Sequence, residues 1–598
     1  MFQSFKATSR PEQGPPRLRL LREEMAREGL DGFLVPRADA HQGEYVAPHD
    51  ERLAWLTGFT GSAGFCAVLQ EEAGVFVDGR YRVQVRDQVA AAFTPVDWPG
   101  TKLGPWLRAR LPHGGAVGFD PWLHTVEEIE TLEAALDRSG VHLLPSPNLV
   151  DRIWEDQPDP PAGEVTAHPV ELAGEAATQK RARLGEALHE KGEAAAVLTL
   201  PDSICWLLNI RGADVPRIPV AQGFAILHAD GSVDLFMTEA KLHAVRDHLG
   251  PGVRCAPPDA FAEALGALEG RIRIDAASAP LAALRALEHG PAEPVRGRDP
   301  CLLPKACKNA TERKGAEAAH LRDGAAVVEF LCWLDAQAPG SVTEIAAATK
   351  LEDCRRAHPE LRDIAFDTIA GSGPNGAIVH YRVTEETDRA LGAGELFLVD
   401  SGGQYPDGTT DITRTVPVGP AGEEERAAYT RVLQGLITIS RLRWPRGLAG
   451  RDLDALARMP LWLAGQDYAH GTGHGVGSYL SVHEGPQRLA RTGEVPLEPG
   501  MILSNEPGFY REGAYGIRLE NLIVVEEAPP LPGGTVGEML RFQTLTYVPF
   551  DRRLIVAEML TAPERAWLDA YHALCRRKLA ERLAPRARDW LTTATAPI

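Results

Sequence analysis

The stretch ELFLVDSGGQYPDGTTDITRT, residues 395–415, sets two apolar runs on either side of a Gly-Gly…Pro-Asp-Gly turn. That pattern reads as two strands of a hairpin, with Asp400 ending the first and Asp411 entering the second. Carboxylates placed this way face each other across the ladder a few ångströms apart. Two bare anions so close repel strongly unless a cation lies between them. One Asp at a strand end is ordinarily a turn residue, but two converging across a hairpin point to a metal.

Working outward, residues 468–486 read YAHGTGHGVGSYLSVHEGP. His470 and His474 are four apart and could share a helix face, but Gly471, Gly473, Gly475 and Gly477 are poor helix material. The glycines imply a tight loop whose backbone approaches a ligand. A lone histidine is more often structural; three of them, with His483, in so glycine-rich a setting favour a site. Further on come SNEPGFY, residues 504–510, and GIRLENLIVV, residues 516–525. Glu506 precedes a Pro-Gly turn. Glu520 interrupts an otherwise apolar strand, where an unpaired carboxylate is costly. Arg518, two residues earlier and so on the same strand face, could orient or neutralise a carboxylate, although a plain Arg–Glu surface pair explains those two alone.

Together Asp400, Asp411, His474, Glu506 and Glu520 carry a formal charge of −4, which two divalent ions would cancel. Oxygen-rich ligation with one nitrogen suits Mn²⁺ or a similar ion better than a thiolate-seeking one. Two ions about 3.5–4 Å apart activate water and polarise a carbonyl, which describes metal-assisted hydrolysis.

The remainder of the chain frames this half. At 598 residues it is too long for one core. Proline clusters at Pro158, Pro160, Pro161 and Pro169, and at Pro291, Pro294, Pro300 and Pro304, divide it into 1–155, 156–305 and 306–598. The first two segments look like a diverged repeat. RLRLLREEMAREG, GFLV, LAWLTGF and GFCAVLQEEAGVFVD in the first answer ARLGEALHEKG, AAAVLTL, ICWLLNI and GFAILHADGSVDLFM in the second, matching Trp55 to Trp206 and Gly64-Phe65 to Gly223-Phe224. Helix and apolar strand closed by a hairpin argue an α/β module used twice. The third segment opens with a helix over 311–338 and is α+β in character, with a further helix near 422–443.

The balance of 82 acidic against 63 basic residues, net −19, disfavours nucleic acid and anionic membranes as partners. No stretch approaches the ~20 apolar residues of a membrane span, and MFQSFKATSRPEQGPP has no apolar core for a signal peptide. Eight cysteines without a CxxC pair read as reduced, mostly buried thiols. The chain is expected to be soluble and cytoplasmic.

The five-residue order Asp, Asp, His, Glu, Glu resembles the pita-bread metallopeptidase family, which includes methionine aminopeptidase, prolidase and Xaa-Pro aminopeptidase. Within it, the chain is most similar to the long, three-domain cytosolic Xaa-Pro aminopeptidases. The likeness rests on DAHQGEYVAPHDERLAWLTGFTGSAG and DGRY, on LLNIRGADV, and on SGPNGAIVHYRV, LVDSGGQYPDGTTDITRT, HGTGHGVGSYLSVHEGP and GIRLENL. It implies two similar α/β domains followed by a pita-bread catalytic domain. It also implies hydrolysis of the N-terminal Xaa-Pro bond of peptides by two divalent ions, in a cytosolic homodimer.

By the same resemblance, Asp400 binds one ion, His474 and Glu506 the other, and Asp411 and Glu520 bridge them. Glu506 would also act as general base and proton carrier. His380 and His483 would hold the substrate and stabilise its tetrahedral state. Arg80 and His470, the latter lining the proline pocket, would contact substrate, and Arg518 is counted with them. PRIPVAQGFAIL, residues 216–227, departs from the eukaryotic pattern and bears on substrate length. The rivals are a prolidase restricted to dipeptides, a creatinase, which lacks the ligands, and a pita-bread module that only binds partners. The C-terminal CRRKLAERLAPRARDWL reads as a solvated amphipathic helix.

Overall fold

The computed structural model describes residues 2–535 and 537–598. They form two compact units, one of residues 8–302 and one of residues 303–598 together with residues 2–7.

Within residues 8–302 are two six-stranded sheets. The first holds Gly32–Pro36, Phe65–Leu69, Ala73–Val77, Thr94–Asp97, Gly115–Phe119 and Val141–Pro145; the second holds Ala195–Leu198, Phe224–His228, Val233–Phe236, Val253–Ala256, Gly270–Ile274 and Ala292–Arg296. Numbered by chain order within each sheet, both lie side by side as 4-3-2-1-5-6. In both, the first strand runs antiparallel to the second and parallel to the fifth. The repeat is therefore one topology used twice.

Its sequence marks have a common physical cause. Trp55 and Trp206 both sit on the short helix after the first strand, Arg52–Thr57 and Pro201–Leu208. Gly64 and Gly223 both lead into the second strand. A Cβ on Gly64 would lie 2.7 Å from the Phe76 carbonyl oxygen, and one on Gly223 would lie 2.8 Å from that of Phe236. Each carbonyl belongs to the residue paired with the phenylalanine that follows the glycine. Phe224 stacks on Phe261 at 4.4 Å, and one apolar cluster runs from Val126 and Ile129 of the first module to Leu281 and Leu284 of the second. Pro294, of the second proline cluster, lies in the edge strand Ala292–Arg296, where a missing N–H is tolerated.

In the other unit, the helix Ala310–Asp335 begins at Asn309, whose side chain caps Thr311 and Glu312 while Glu312 returns the bond. It ends three residues before the expected 338. A three-stranded antiparallel sheet orders Ile369–Ser372, Glu395–Ser401 and Ile412–Val418. A six-stranded antiparallel sheet orders Arg443–Pro445, Met539–Thr544, Asn521–Glu527, Ile502–Asn505, Gly473–Gly475 and Glu484–Leu489. The helices Ala310–Asp335 and Glu423–Arg441 pack with Phe397 and Val399 into the largest apolar cluster.

The C-terminal segment corrects an expectation. It forms two helices, Ala562–Leu579 and Pro585–Ala594, broken where Pro585 starts the second. Leu579, Leu583 and Leu591 enter the core, each worth about 1.5–3 kcal/mol of burial, so this end is packed and not merely solvated. The eight cysteines are free thiols, five of them buried. Among the described residues no helix is long and apolar enough to cross a membrane.

Candidate metal centre

The hairpin at 395–418 differs from the simple form read in the sequence. Residues between Ser401 and Ile412 build their own short strands, Gly403–Tyr405 and Gly408–Thr409, which pair with each other and with Asp363–Ile364. Register pairs Asp400 with Thr413, so Asp411 is the diagonal neighbour of Asp400, on the same face by parity, rather than directly opposite. Thr413, between them, donates its hydroxyl to Glu520 Oε2 at 2.8 Å.

Glu520 occupies a break and not a strand interior. Tyr515–Arg518 pairs with Gly508–Arg511, whereas Asn521–Glu527 belongs to the six-stranded sheet. Arg518 and Glu520 thus flank a junction, held by the Glu520 N–H donating to the Thr413 carbonyl at 3.1 Å. Glu506 follows the strand Ile502–Asn505, and its N–H donates to the Thr472 carbonyl at 2.8 Å.

The glycine-rich segment is a strand of three residues, Gly473–Gly475, with a bulge beside His474. Glycine is required there by crowding, since a Cβ on Gly473 would lie 1.9 Å from the Ser504 carbonyl oxygen. His474 Nδ1 meets the Gly475 carbonyl at 2.9 Å, which turns Nε2 inward, 3.5 Å from Asp411 Oδ2 and 3.3 Å from Glu506 Oε1.

Donor atoms converge in three overlapping sets, each within 4.8 Å: Asp400, Asp411 and Glu520; His474, Glu506 and Glu520; Asp411, His474 and His483. Asp400 Oδ1 and Glu520 Oε1 are buried without a hydrogen-bond partner. Burial, then repulsion from Asp411, Glu506 and Asp400, pushes the Glu520 carboxyl far above its usual range. Burial likewise raises Asp400 and Glu506. Burial opposes charge on His474, yet Asp411 and Glu506 outweigh it and lift its pKa to about 9. Four converging carboxylates with orphaned oxygens and one inward nitrogen are the donor set of a pair of divalent cations, and the residues fit that group.

The other anticipated residues fall in different places. Arg518 is buried and spends its guanidinium on Asp400 Oδ2 at 2.6 Å, the Tyr510 hydroxyl at 2.6 Å and Thr413 Oγ1 at 3.2 Å. It orients the Asp400 carboxylate. His470 joins the same chain, its Nε2 2.9 Å from the Tyr510 hydroxyl. His483 stands edge-on to His474 with ring centroids 4.2 Å apart. His380 is half-buried on the turn after Gly373–Ala377 and is not among the converging donors. Arg80 lies in the unit of residues 8–302 and donates to Asp78 Oδ2 at 2.7 Å.

Several residues here escaped the sequence reading. Thr413 and Tyr510 are ordinary strand residues by pattern. Lys305 and Lys308 are both buried against the buried Glu484, next to His483; Lys305 Nζ is 3.0 Å from Glu484 Oε1, and Lys308 pairs with Oε2. Their signal was present, as two lysines inside the apolar run CLLPKACK.

Residues 314–527 match Metallopeptidase family M24. Residues 17–153 and 156–312 each match a Creatinase/Prolidase N-terminal domain, and 538–598 match the C-terminal region of peptidase_M24. The chain is 38% identical over 622 residues to the probable Xaa-Pro aminopeptidase P of Coccidioides posadasii, covering 99% of this chain and 95% of that one. The Aspergillus fumigatus protein of the same description is 39% identical over 611 residues, covering 97% and 92%. A crystal structure of X-prolyl aminopeptidase from Caenorhabditis elegans, described as a cytosolic enzyme with a di-nuclear active site, is 33% identical with a TM-score of 0.92, covering 98% of this chain and 100% of that one.

Proposed function

The chain belongs to metallopeptidase family M24, and from that premise we infer that its buried carboxylate centre removes the first residue from peptides with proline second. It is a metallo-aminopeptidase that uses two divalent ions, and its likeness to Xaa-Pro aminopeptidases over the whole chain favours this over a dipeptide-restricted prolidase. The observation that carries the reading is the set of four converging carboxylates with two orphaned buried oxygens.

Bound divalent ions supply Lewis-acid polarisation of a carbonyl and an acidified water. That suits an Xaa-Pro bond, a tertiary amide with no N–H for an enzyme to hold. The proposed ligands are Asp400 for one ion, His474 and Glu506 for the other, and Asp411 and Glu520 shared. Mn²⁺ is the proposed metal, supported by the oxygen-rich donor set. Glu506 takes the proton of the attacking water and returns it to the proline nitrogen. His483 and His380 donate to the carbonyl oxygen as it gains charge. His470 lines the proline pocket, and Arg518 holds Asp400 in place. Arg80 is proposed as a substrate contact on the resemblance of DGRY alone. A homodimer in the cytosol, and division of the chain into 1–155, 156–305 and 306–598, complete the proposal.

The test is metal analysis beside a peptide panel. Arg-Pro-Pro should release arginine, while N-acetyl-Arg-Pro-Pro and Arg-Ala-Ala should resist. Cleavage confined to Xaa-Pro dipeptides would make the enzyme a prolidase. Full activity on the acetylated or alanine peptides would overturn the specificity.

A further inference from the structure

Away from these converging residues, the unit of residues 303–598 also buries the carboxylate of Glu344 among neutral donors. Glu344, the first residue of the helix Glu344–Arg356, has no solvent exposure. Its Oε1 accepts from the Ser372 N–H at 2.7 Å and from Asn375 Nδ2 at 3.1 Å. Its Oε2 accepts from Asn375 Nδ2 at 3.0 Å and the Tyr381 hydroxyl at 3.1 Å. The Tyr381 hydroxyl also lies 2.9 Å from Thr387 Oγ1, and the Glu344 N–H donates to the Arg389 carbonyl at 3.0 Å. The Glu344 carboxylate and its own N–H together tie the start, the turn, the middle and the end of the loop 372–389.

The charged groups around it are otherwise engaged. Arg389 donates to the Ser372 carbonyl at 2.6 Å and to Glu395 Oε1 at 2.7 Å; Glu395 Oε2 accepts from Ser372 Oγ at 2.8 Å. Asp388 Oδ1 accepts from the Ile345 N–H at 3.0 Å. Glu344 is left with neutral donors, and burial pushes its carboxyl up to about 7. A charge kept in so dry a place is costly, and charge-assisted bonds to a few fixed donors are what it supplies in return.

Those donors bracket one residue. Asn375 and Tyr381 lie on either side of His380 in the sequence, and His380 itself sits in the turn closed by the Tyr381 N–H on the Ile378 carbonyl at 3.0 Å. Val379 and Tyr381, the direct neighbours of His380, are buried, whereas His380 itself is only half-buried. We propose that Glu344, acting through Asn375 and Tyr381, is the positioning residue that fixes the His380 imidazole for the substrate. This rests on the reading that His380 contacts the substrate.

A double-mutant cycle tests it on the full-length, metal-loaded enzyme. Tyr381→Phe removes one hydroxyl, Glu344→Gln removes the charge, and each is made with and without His380→Ala. For all variants kcat and KM on Arg-Pro-Pro, metal content and Tm are measured. Alone, Tyr381→Phe and Glu344→Gln should each lower kcat by about 5- to 20-fold with both ions retained, a loss made in the transition state. In the His380→Ala background neither should cost more than about twofold further, since coupled residues are not additive. Losses that multiply in full, or a lowered Tm with unchanged kcat, would reduce Glu344 to a brace of the fold and overturn the proposal. If His380→Ala alone leaves kcat intact, the reading of His380 fails and the proposal goes with it. If Glu344→Gln does not fold, Tyr381→Phe decides the outcome.

Discussion

In the unit of residues 8–302, several buried charges are met by partners within the protein. Lys241 lies 2.7 Å from Asp214, Arg273 grips Glu193 at 2.7 and 2.8 Å, and Lys180 donates to the Trp206 carbonyl at 2.9 Å and to Asn209 at 2.8 Å. In the unit of residues 303–598, four carboxylates converge, and two of their buried oxygens have no hydrogen-bond partner. Both units pack sheets around apolar clusters, with mixed ladders in the first and antiparallel ones in the second. Single buried atoms such as Asp299 Oδ2 and Arg181 Nη1 are orphaned in the first unit too; what separates the units is convergence, since among the described residues only the second gathers carboxylates closely enough to hold a cation.

The hardest blow to that contrast is to remove a shared ligand. Asp411→Ala or Glu520→Ala should abolish activity and leave fewer than two ions per chain by elemental analysis. Normal turnover with both ions bound in either variant would dissolve the distinction.

Next in size are the two facing histidines. His474→Ala should lose metal. His483→Ala should keep both ions while kcat falls about 10²–10³-fold, the cost of one donor to a developing oxyanion. Because His483 also converges with Asp411 and His474, metal loss in His483→Ala would enlarge the ligand set instead.

Chelation should then act on one unit only. Ions at a hundred times their Kd stabilise the unit that binds them by about 2.7 kcal/mol. In thermal unfolding that is roughly 4 °C for a unit of this size. Unfolding followed by proteolysis should show residues 303–598 melting earlier after stripping and residues 8–302 unchanged. Equal shifts in both would break the comparison.

The smallest effect is the response to pH, and its sign should oppose between units. His168, in residues 8–302, is lowered from 6.5 to about 2, first by burial and then by Arg211 and Lys180. Its contribution is full above pH 6.5 and is lost as pH falls. Burial raises Glu344 from 4.5 to about 7, so its contribution is full below pH 4.5 and is lost as pH rises through 7. Between pH 5 and 8, Glu344→Gln should therefore gain Tm relative to the native chain as pH rises. His168→Gln should gain relative to it as pH falls. Parallel curves in either pair would contradict the assignment.

What the sequence revealed follows the range of the forces involved. The repeat was visible because Trp55, Trp206, Gly64 and Gly223 answer local sterics, the same carbonyl in the same register. The ligands were visible because charged residues at strand ends stand out against apolar runs. The diagonal placement of Asp411 was hidden, since it depends on the strand 403–405 pairing both with 408–409 and with a segment forty residues earlier. The break between Arg518 and Asn521 was hidden because Leu519 and Glu520, which form it, are not turn residues, and only the partner strands divide the stretch. Glu344 was hidden for the same reason: its donors lie on a different stretch of chain.

The pairing of Lys305 and Lys308 with Glu484 decides where the catalytic half could be cut free. All three side chains are buried, and the two lysines precede the long helix that an engineer would take as a natural starting point. A fragment beginning at Asn309 would keep every ligand yet strand the Glu484 carboxylate in the interior with neither cation, one residue from His483. Breaking a buried pair from one side costs about 3–5 kcal/mol, a large share of what holds a unit of this size together. The smallest autonomous piece must therefore start upstream of Lys305, so the boundary of the catalytic half is set by charge and not by the first turn of its helix.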